Sequence, residues 1–441
     1  MQRRVLAAVV LVLACGSPPR PVEPTAPVPA PPSPSDGAPP PAPAADGSPD
    51  TTTPPDGSAV SLGPDIRVGL GVGKTEIVID GSQGVVASDP SGALVARVGP
   101  GEGVVVKGEG GGVALFDRRG RRIARGDRLG FHSPGGTLLL DGRAYRGRAD
   151  VLRDQRGVTL VNTVALEEYL PSVVAAELGR RRPDEIEAVM AQAIVARTYA
   201  LRNLGRARER GYDLESGVAD QVYRGAAGED SLAAAAVRAT RGVIVSWQGS
   251  PIDAFFSSTC AGESERGVDV FRGADRRYLR SAPDVDASGQ PWCRISPRYR
   301  WREEWTGREL AAALEASLRE LGVRVPGGRG AVRNVAVTGR TGTGRANLLA
   351  IRWEHADVSV RGQEVRRALR PPAGGWLRSA QFTLEPEMRD GKLVRLVAKG
   401  AGAGHGVGMC QWGAIARARA GFGHEAILAA YYPGTEMVRY Y

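Results

Sequence analysis

Lysine is scarce in this chain of 441 residues, where it occurs at only four positions, so arginine supplies nearly all of the positive charge behind the formal net charge of +10. A basic surface favours polyanionic partners such as cell-wall polymers, phosphates or nucleic acid. An arginine-for-lysine bias is also a common effect of genomic composition, which explains it more simply. No nucleic-acid-binding module is visible, so nucleic acid is not an expected partner.

Long apolar runs are missing beyond the start of the chain. Residues 1–15 place Arg3 and Arg4 before an apolar run that is too short to span a bilayer, which is the pattern of an export signal. Its end, VLAC, resembles the bacterial lipobox and implies cleavage before Cys15 and lipidation of that residue, with an uncleaved anchor or an ordinary signal peptide as alternatives. Gly16 follows instead of aspartate, so the periplasmic side of the outer membrane is expected if the organism is Gram-negative. No second long apolar run predicts a transmembrane helix.

Composition divides the rest of the chain into three parts. Residues 16–64 are rich in proline, alanine and small polar residues and predict a disordered linker, which could extend on the order of 100 Å as polyproline. Residues 65–161 contain short β-type runs separated by glycine and predict a small β-rich region. Residues 162–441 mix helical and strand-like patterns without an internal repeat. The expected class is therefore α+β, an elaborated mixed domain preceded by the β-rich region and the linker.

Two helices are predicted between Leu166 and Leu201. The first ends near Gly179 and places Glu177 in its last turn among aliphatic residues. A carboxylate in such surroundings can have a raised pKa and remain protonated at neutral pH, as a general acid must. From the pattern alone, a solvated glutamate at a helix end is the simpler interpretation.

The second helix is predicted to begin at Asp184, because Glu187 three residues later completes a capping-box pattern. Arg197 falls on the inward stripe of this helix. A guanidinium group keeps its charge when buried, so Arg197 should have an acceptor partner there. That partner is either a structural ion pair or the candidate acid itself.

Cysteine is rare, with four residues in the chain, of which Cys15 belongs to the signal pattern. In an exported protein two of the remaining three are expected to pair, and sequence separation favours a disulfide between Cys260 and Cys293, with Cys410 left as a thiol. The alternative is a zinc site formed by these three sulfurs and His405. No CxxC spacing supports the zinc site, so no cofactor is expected, with zinc kept as the alternative.

Four segments in order resemble the stage II sporulation protein D family, SpoIID/LytB. They are LEEYLPSVVAAE with AQAIVARTYAL (166–177 and 191–201), DQVYRG (220–225), AFFSSTCAGESE (254–265) and GHGVGMCQWGA (404–414). The resemblance covers about residues 162–441. The chain departs from the family in the LGRRRP that follows Glu177, in Ala261 where relatives often have a second glycine, and in the absence of the histidine that zinc-binding members carry shortly after that position.

Known members of this family are peptidoglycan lytic transglycosylases, and some are described as enhancers of cell-wall amidases. The resemblance places the family's catalytic glutamate at Glu177. It implies glycan strands as the substrate and protonation of the glycosidic oxygen, followed by closure of a 1,6-anhydro ring by the sugar's own 6-hydroxyl. The alternatives are a glycan-binding protein that activates an amidase and a structural lipoprotein of the wall.

The same motifs supply candidate substrate-binding residues. Gln192 and Tyr199 lie seven residues apart, and hence on one face of the second helix. Two serines and Glu265 offer small donors and a carboxylate suited to sugar hydroxyls, and flanking glycines are expected to bring His405 and Gln411 to a surface. The full set is Gln192, Arg197, Tyr199, Ser257, Ser258, Glu265, His405 and Gln411.

Overall fold

In the computed structural model, which describes residues 61–217, 220–325 and 327–441, twelve strands precede the first helix. The strands are β1 (Asp65–Lys74), β2 (Glu76–Gly81), β3 (Val85–Ser88), β4 (Leu94–Val98), β5 (Val104–Glu109), β6 (Gly112–Asp117), β7 (Arg122–Gly126), β8 (Arg128–His132), β9 (Leu138–Leu140), β10 (Arg143–Tyr145), β11 (Arg148–Arg153) and β12 (Val158–Ala165). In strands such as β2 and β8 buried and less buried residues alternate, whereas β12 is buried along nearly its whole length.

These strands form two sheets. The six-stranded sheet has the order β10-β9-β2-β5-β6-β7, and the other contains β1, β12, β11, β8, β3 and β4 in that order. β1 and β12 are antiparallel, with Ile66 opposite Val164, and β12 leads directly into the first helix. The predicted boundary between the β-rich region and the following domain, at residues 161/162, lies inside β12.

The helical part of the fold follows β12. Its elements are α1 (Leu166–Leu178), α2 (Ile186–Arg202), β13 (Leu214–Glu215), α3 (Ser231–Ala239), β14 (Val243–Trp247), β15 (Ser250–Pro251), β16 (Phe256–Ser257) and α4 (Gly267–Val270). β13 runs parallel to β1 and completes the seven-stranded sheet. One hydrophobic core contains side chains from both sheets and from α1, α2 and α3, so the β-rich region and the helices stabilise each other.

The two helices of the main motif are present, but α2 begins two residues later than predicted. α1 ends at Leu178, and Gly179 follows with a φ of +68°, a backbone conformation that glycine adopts readily. Glu187 does not close the predicted capping box, because its carboxylate accepts the backbone N–H of His424 at 2.7 Å. Glu185 accepts the N–H of Arg182 instead, within a short 3₁₀ turn that precedes α2.

Residues 300–401 form a second layer of strands and helices with a hydrophobic core of its own. The elements are β17 (Arg300–Thr306), α5 (Gly307–Glu320), β18 (Val332–Arg340), β19 (Ala346–Trp353), β20 (Asp357–Arg361), α6 (Glu364–Ala368), β21 (Phe382–Arg389) and β22 (Lys392–Ala401). They make two three-stranded antiparallel sheets, β17-β22-β21 and β18-β19-β20. This part of the chain separates the third motif from the fourth.

The chain then returns to the first core through β23 (Met409–Cys410), α7 (Gln411–Arg419), α8 (His424–Tyr431) and β24 (Glu436–Arg439). β23 pairs in parallel with β16, which sets Ser257 opposite Cys410. Gly408 permits this approach, since a Cβ atom there would lie 2.0 Å from the carbonyl oxygen of Phe255. The third and fourth motifs therefore lie side by side.

The described residues form one compact unit, and its helices and sheets confirm the predicted α+β class. The predicted signal peptide with Cys15, and the linker up to residue 60, lie outside the described residues. None of the described helices is long and apolar enough to cross a membrane.

Candidate functional site

Glu177 is held at the C-terminal end of α1 against the loop of the DQVYRG motif. Its Oε1 atom accepts the backbone N–H of Val222 at 3.0 Å. The loop is fixed to α1 a second time, because the hydroxyl of Ser172 accepts the N–H of Arg224 at 3.1 Å. The carboxylate is therefore fixed in place at a partly buried position.

The environment of Glu177 favours its protonated form. Burial is the largest effect and raises the pKa of Glu177 above that of a free glutamate. Hydrogen bonds from the Val222 N–H and the Gln411 side chain, and the positive charge of Arg224, act in the opposite direction but do not cancel the effect of burial. The structure thus places a carboxylic acid with a raised pKa where the motif predicted a general acid.

Two predicted substrate-binding residues, Gln192 and Gln411, meet beside Glu177. Gln192 comes from the middle of α2 and Gln411 is the first residue of α7, and the Nε2 of Gln411 donates to the Oε1 of Gln192 at 3.3 Å. The Nε2 of Gln192 is buried and has no hydrogen-bond partner among the described residues. A buried amide donor without an acceptor is costly, so this pair of glutamines does not serve stability alone.

Tyr199 faces the same loop but its hydroxyl is occupied. It donates to Asp220 at 2.9 Å, and Asp220 also forms an ion pair with Arg206. Burial, followed by the negative charge of Asp220, raises the pKa of Tyr199 to about 12. Tyr199 therefore holds the start of the DQVYRG loop in position next to Glu177.

Arg197 does not reach Glu177. It is fully buried and forms a two-bond ion pair with Glu167, at 2.7 Å from Nε and 3.0 Å from Nη2. Its remaining N–H groups donate to the carbonyls of Val237 and Val243. Arg197 thus has the acceptor partner that its position required, and that partner is structural.

The remaining predicted binding residues support the backbone. The hydroxyl of Ser257 accepts the N–H of Gly406 at 3.2 Å, and the carbonyl of Ser258 accepts the N–H of Trp412 at 3.1 Å. Glu265 is fully buried and accepts the hydroxyl of Thr341 at 2.6 Å, which ties the third motif to the strands between residues 300 and 401.

His405 is partly buried and is hydrogen-bonded to the backbone. Nδ1 accepts the N–H of Val407 at 3.1 Å, and the ring bonds the backbone of Phe256. Burial, helped by the charges of Arg366 and Arg345, lowers the pKa of His405 to about 3. His405 is therefore a neutral structural histidine at physiological pH.

Comparison with known proteins supports the resemblance to SpoIID proteins. The model of the stage II sporulation protein SpoIID matches residues 154–247, which contain α1, α2 and the DQVYRG loop around Glu177. The stage II sporulation protein D of Bacillus subtilis is 28% identical over 293 residues, covering 63% of this chain and 75% of the relative. The chain carries a SpoIID domain and is similar to members of the SpoIID/LytB family.

Two further relatives show how far the similarity extends. An uncharacterized protein of Brachyspira hyodysenteriae is 28% identical over 304 residues, covering 69% of this chain and 74% of the relative. A protein named amidase enhancer from Bacillus subtilis is 26% identical over 290 residues, covering 58% of this chain and 38% of the relative. These similarities support a role related to the bacterial cell wall.

A second family model, of a domain of unknown function named DUF8618, matches residues 276–408. This match includes the whole of the second hydrophobic core, which lies between residues 301 and 398. In this chain, the strands and helices between the third and fourth motifs therefore correspond to a recognised sequence domain.

The predicted disulfide is absent from the structure. The Sγ atoms of Cys260 and Cys293 lie 3.8 Å apart, whereas a disulfide requires about 2.05 Å. Both residues are free thiols in the structure, as is Cys410. The fourth residue of the alternative zinc site also differs from the prediction. Asp284 lies with the three sulfurs, whereas His405 accepts the N–H of Val407.

Sequence reasoning missed three features of the site. The backbone N–H of Val222 has no signature in sequence, because any residue except proline offers it. Arg224 and Asp284 lie 47 and 107 positions from Glu177 in the printed sequence, and only the fold makes them relevant. For Arg224, the signal was its place within DQVYRG, whereas Asp284 lies outside all four motifs.

Proposed function

We propose that this protein is a peptidoglycan lytic transglycosylase in which Glu177 is the general acid and then the general base. The observation that supports this most is the carboxyl group itself, partly buried, raised in pKa and fixed by the Val222 N–H at 3.0 Å. A carboxylic acid with a raised pKa keeps more of its protonated form than an ordinary surface glutamate, and is therefore better suited to donate to a glycosidic oxygen.

The reaction needs one carboxyl group. Glu177 gives its proton to the bridging glycosidic oxygen, and the bond between that oxygen and the anomeric carbon breaks through an oxocarbenium-like state. The 6-hydroxyl of the same muramic acid unit then bonds to the anomeric carbon, and its proton returns to the Glu177 carboxylate. Atoms balance without water, and the products are a free 4-hydroxyl and a 1,6-anhydro end.

The surroundings of Glu177 suit this double role. The Val222 N–H and the side chain of Gln411 stabilise the ionised carboxylate that exists between the two proton transfers. Gln192 is fully buried and accepts from the Nε2 of Gln411 at 3.3 Å, so it orients Gln411 beside Glu177. Arg197, Ser257, Ser258, Glu265 and His405 hold the site together and are not part of this proposal for glycan binding.

We also propose that the enzyme works from a membrane. Cys15 would carry the lipid, and the proline-rich linker would let the domain reach nearby glycan strands of the wall. In a Gram-negative cell this places it on the periplasmic side of the outer membrane. Metabolic labelling with a fatty-acid analogue, lost in Cys15→Ser, would test the anchor.

The chemical nature of the new glycan ends distinguishes a lytic transglycosylase from a hydrolase. Purified glycan strands, intact and peptide-stripped, are incubated with the wild type and with Glu177→Gln, and the ends are read by mass spectrometry. Anhydromuramic ends from the wild type alone support the proposal. Reducing ends would indicate hydrolysis instead, and equal products from both proteins would remove Glu177 from the mechanism.

A second function has one observation in its favour, the similarity to a protein named amidase enhancer. Under this alternative the chain binds glycan and raises the rate of a cell-wall amidase without cleaving the glycan itself. The test is the same pair of proteins added to a purified amidase and peptidoglycan. Stimulation that is equal for the wild type and Glu177→Gln, with no anhydro ends from either, would favour the enhancer.

The pH profile should report the raised pKa of Glu177. The acid is active only when protonated, so kcat/KM for glycan cleavage should fall as pH rises through that pKa. Replacing Arg224 by alanine removes a positive charge that lowers this pKa, so the alkaline limb should move to higher pH. Initial rates on peptide-stripped glycan, measured between about pH 4 and 9, check this prediction, because that range includes the ordinary pKa values of carboxyl and imidazole groups.

Arg224→Lys is the matched control, because it keeps the charge and should leave the limb where it is. Arg224 is exposed, so neither variant should disturb the fold. If the alkaline limb of the pH profile does not move in Arg224→Ala at low salt, a group other than Glu177 controls the rate.

A further inference from the structure

Four buried side chains from separate segments of the chain converge on one point near the N-terminus of α7. Cys260 follows β16, Asp284 lies in a loop, Cys293 lies in a short 3₁₀ helix, and Cys410 ends β23. One ligand atom from each residue lies within 4.8 Å of all the others. We propose that Cys260, Asp284, Cys293 and Cys410 bind one zinc ion.

The distances suit a tetrahedral site. Zinc–sulfur bonds of about 2.3 Å in a tetrahedron separate two sulfurs by about 3.8 Å. The Sγ atoms of Cys260 and Cys293 are 3.8 Å apart, and the Sγ of Cys260 is 3.1 Å from the Oδ2 of Asp284. Three thiolates and one carboxylate form a donor set that zinc accepts.

The surrounding groups support the proposed ligands. The Oδ1 atom of Asp284 accepts from the Nη2 of Arg417 and from the hydroxyl of Tyr431, both at 3.0 Å. The Sγ of Cys410 accepts the backbone N–H groups of Cys260 at 3.2 Å and of Gly413 at 3.4 Å. Hydrogen bonds of this kind orient metal ligands, and the charge of Arg417 offsets part of the excess negative charge of three thiolates and a carboxylate on Zn²⁺.

Binding involves no oxidation. The three thiols lose their protons to solvent as three zinc–sulfur bonds form, and the Asp284 carboxylate supplies the fourth bond. A disulfide between Cys260 and Cys293 would consume two of these sulfurs. It would leave the Asp284 carboxylate in the core beside a single thiol, with Arg417 and the Tyr431 hydroxyl as its partners.

The zinc ion would fix the N-terminus of α7 to three other segments of the chain. Gln411 follows Cys410 directly, so the ion would also position the side chain that donates to the Oε1 of Gln192. Zinc would therefore be structural, and the proposal stands or falls independently of the transglycosylase activity.

The first experiment measures metal in the wild-type full chain. After equilibration with equimolar zinc and removal of excess, mass spectrometry of the elements should give one zinc per chain. X-ray absorption at the zinc edge should give three sulfur neighbours at about 2.3 Å and one oxygen. No bound zinc, a zinc shell with fewer than three sulfurs, or a Cys260–Cys293 crosslink in peptides prepared without reductant would each overturn the proposal.

Variants then test the ligands. Cys410→Ser should lose stoichiometric zinc, whereas Cys15→Ser and His405→Gln should keep it. Tyr431→Phe removes a bond to Asp284 and should weaken zinc binding by about 10–100-fold in competition with a chelator. Full zinc content in Cys410→Ser, or its loss in folded His405→Gln, would contradict the assigned ligand set. If Cys410→Ser does not fold, the wild-type measurement and Tyr431→Phe still decide.

Discussion

Replacing Glu177 by glutamine is expected to lower kcat/KM for glycan cleavage by about 10²–10⁴-fold or more. Glutamine matches the size of glutamate and can still accept the Val222 N–H, but it cannot donate a proton to the glycosidic oxygen or take one from the 6-hydroxyl. Because the amide has no charge to desolvate, the variant should also be at least as stable as the wild type where Glu177 is ionised. Initial rates on peptide-stripped glycan, with thermal unfolding alongside, measure both effects.

Glu168→Gln is the matched control. Glu168 lies on the same helix and is also partly buried, but it is in the first turn, at the opposite end of α1 from Glu177. It should retain wild-type rates. A rate in Glu177→Gln within a factor of a few of the wild type, or an equal loss in Glu168→Gln, would show that α1 does not carry the acid.

Arg197→Met should lower the free energy of unfolding by about 3–5 kcal/mol, a large effect for a single substitution. Methionine leaves the carboxylate of Glu167 buried without its partner, although the hydroxyl of Tyr441 still donates to it. Removing one member of a buried ion pair is more costly than replacing both. The remaining ion stays out of water but no longer has an opposite charge beside it. The free energy of unfolding from urea denaturation measures the loss.

The double variant Glu167→Gln with Arg197→Met is the control for this interpretation. It removes both charges, so much of the lost stability should return. Equal destabilisation in the single and double variants would mean that packing around Arg197, rather than the uncompensated charge of Glu167, explains the loss. Neither outcome bears on catalysis, since Arg197 lies apart from Glu177.

The local elements around the site could be predicted because they depend on short-range rules. Helical spacing and the glycine after Leu178 fix α1, so Glu177 could be placed in its last turn from sequence. The need of Arg197 for an acceptor followed from its position on an inward stripe. The start of α2 could not be fixed in this way, because Glu187, which sequence assigned to a cap, bonds to His424 from a distant helix.

The sequence alone determined the α+β class, the helix that presents Glu177 and the family resemblance, since these depend on periodicity and on motifs whose members are close together in the chain. The tertiary structure decided which distant groups meet. It paired Arg197 with Glu167, made Ser257, Glu265 and His405 structural, and placed Asp284 with three cysteines in place of the predicted disulfide. The physical reason is that hydrogen bonds, ion pairs and metal sites depend on distances of 3–4 Å between atoms, which for residues far apart in sequence are set only by the packing of the cores.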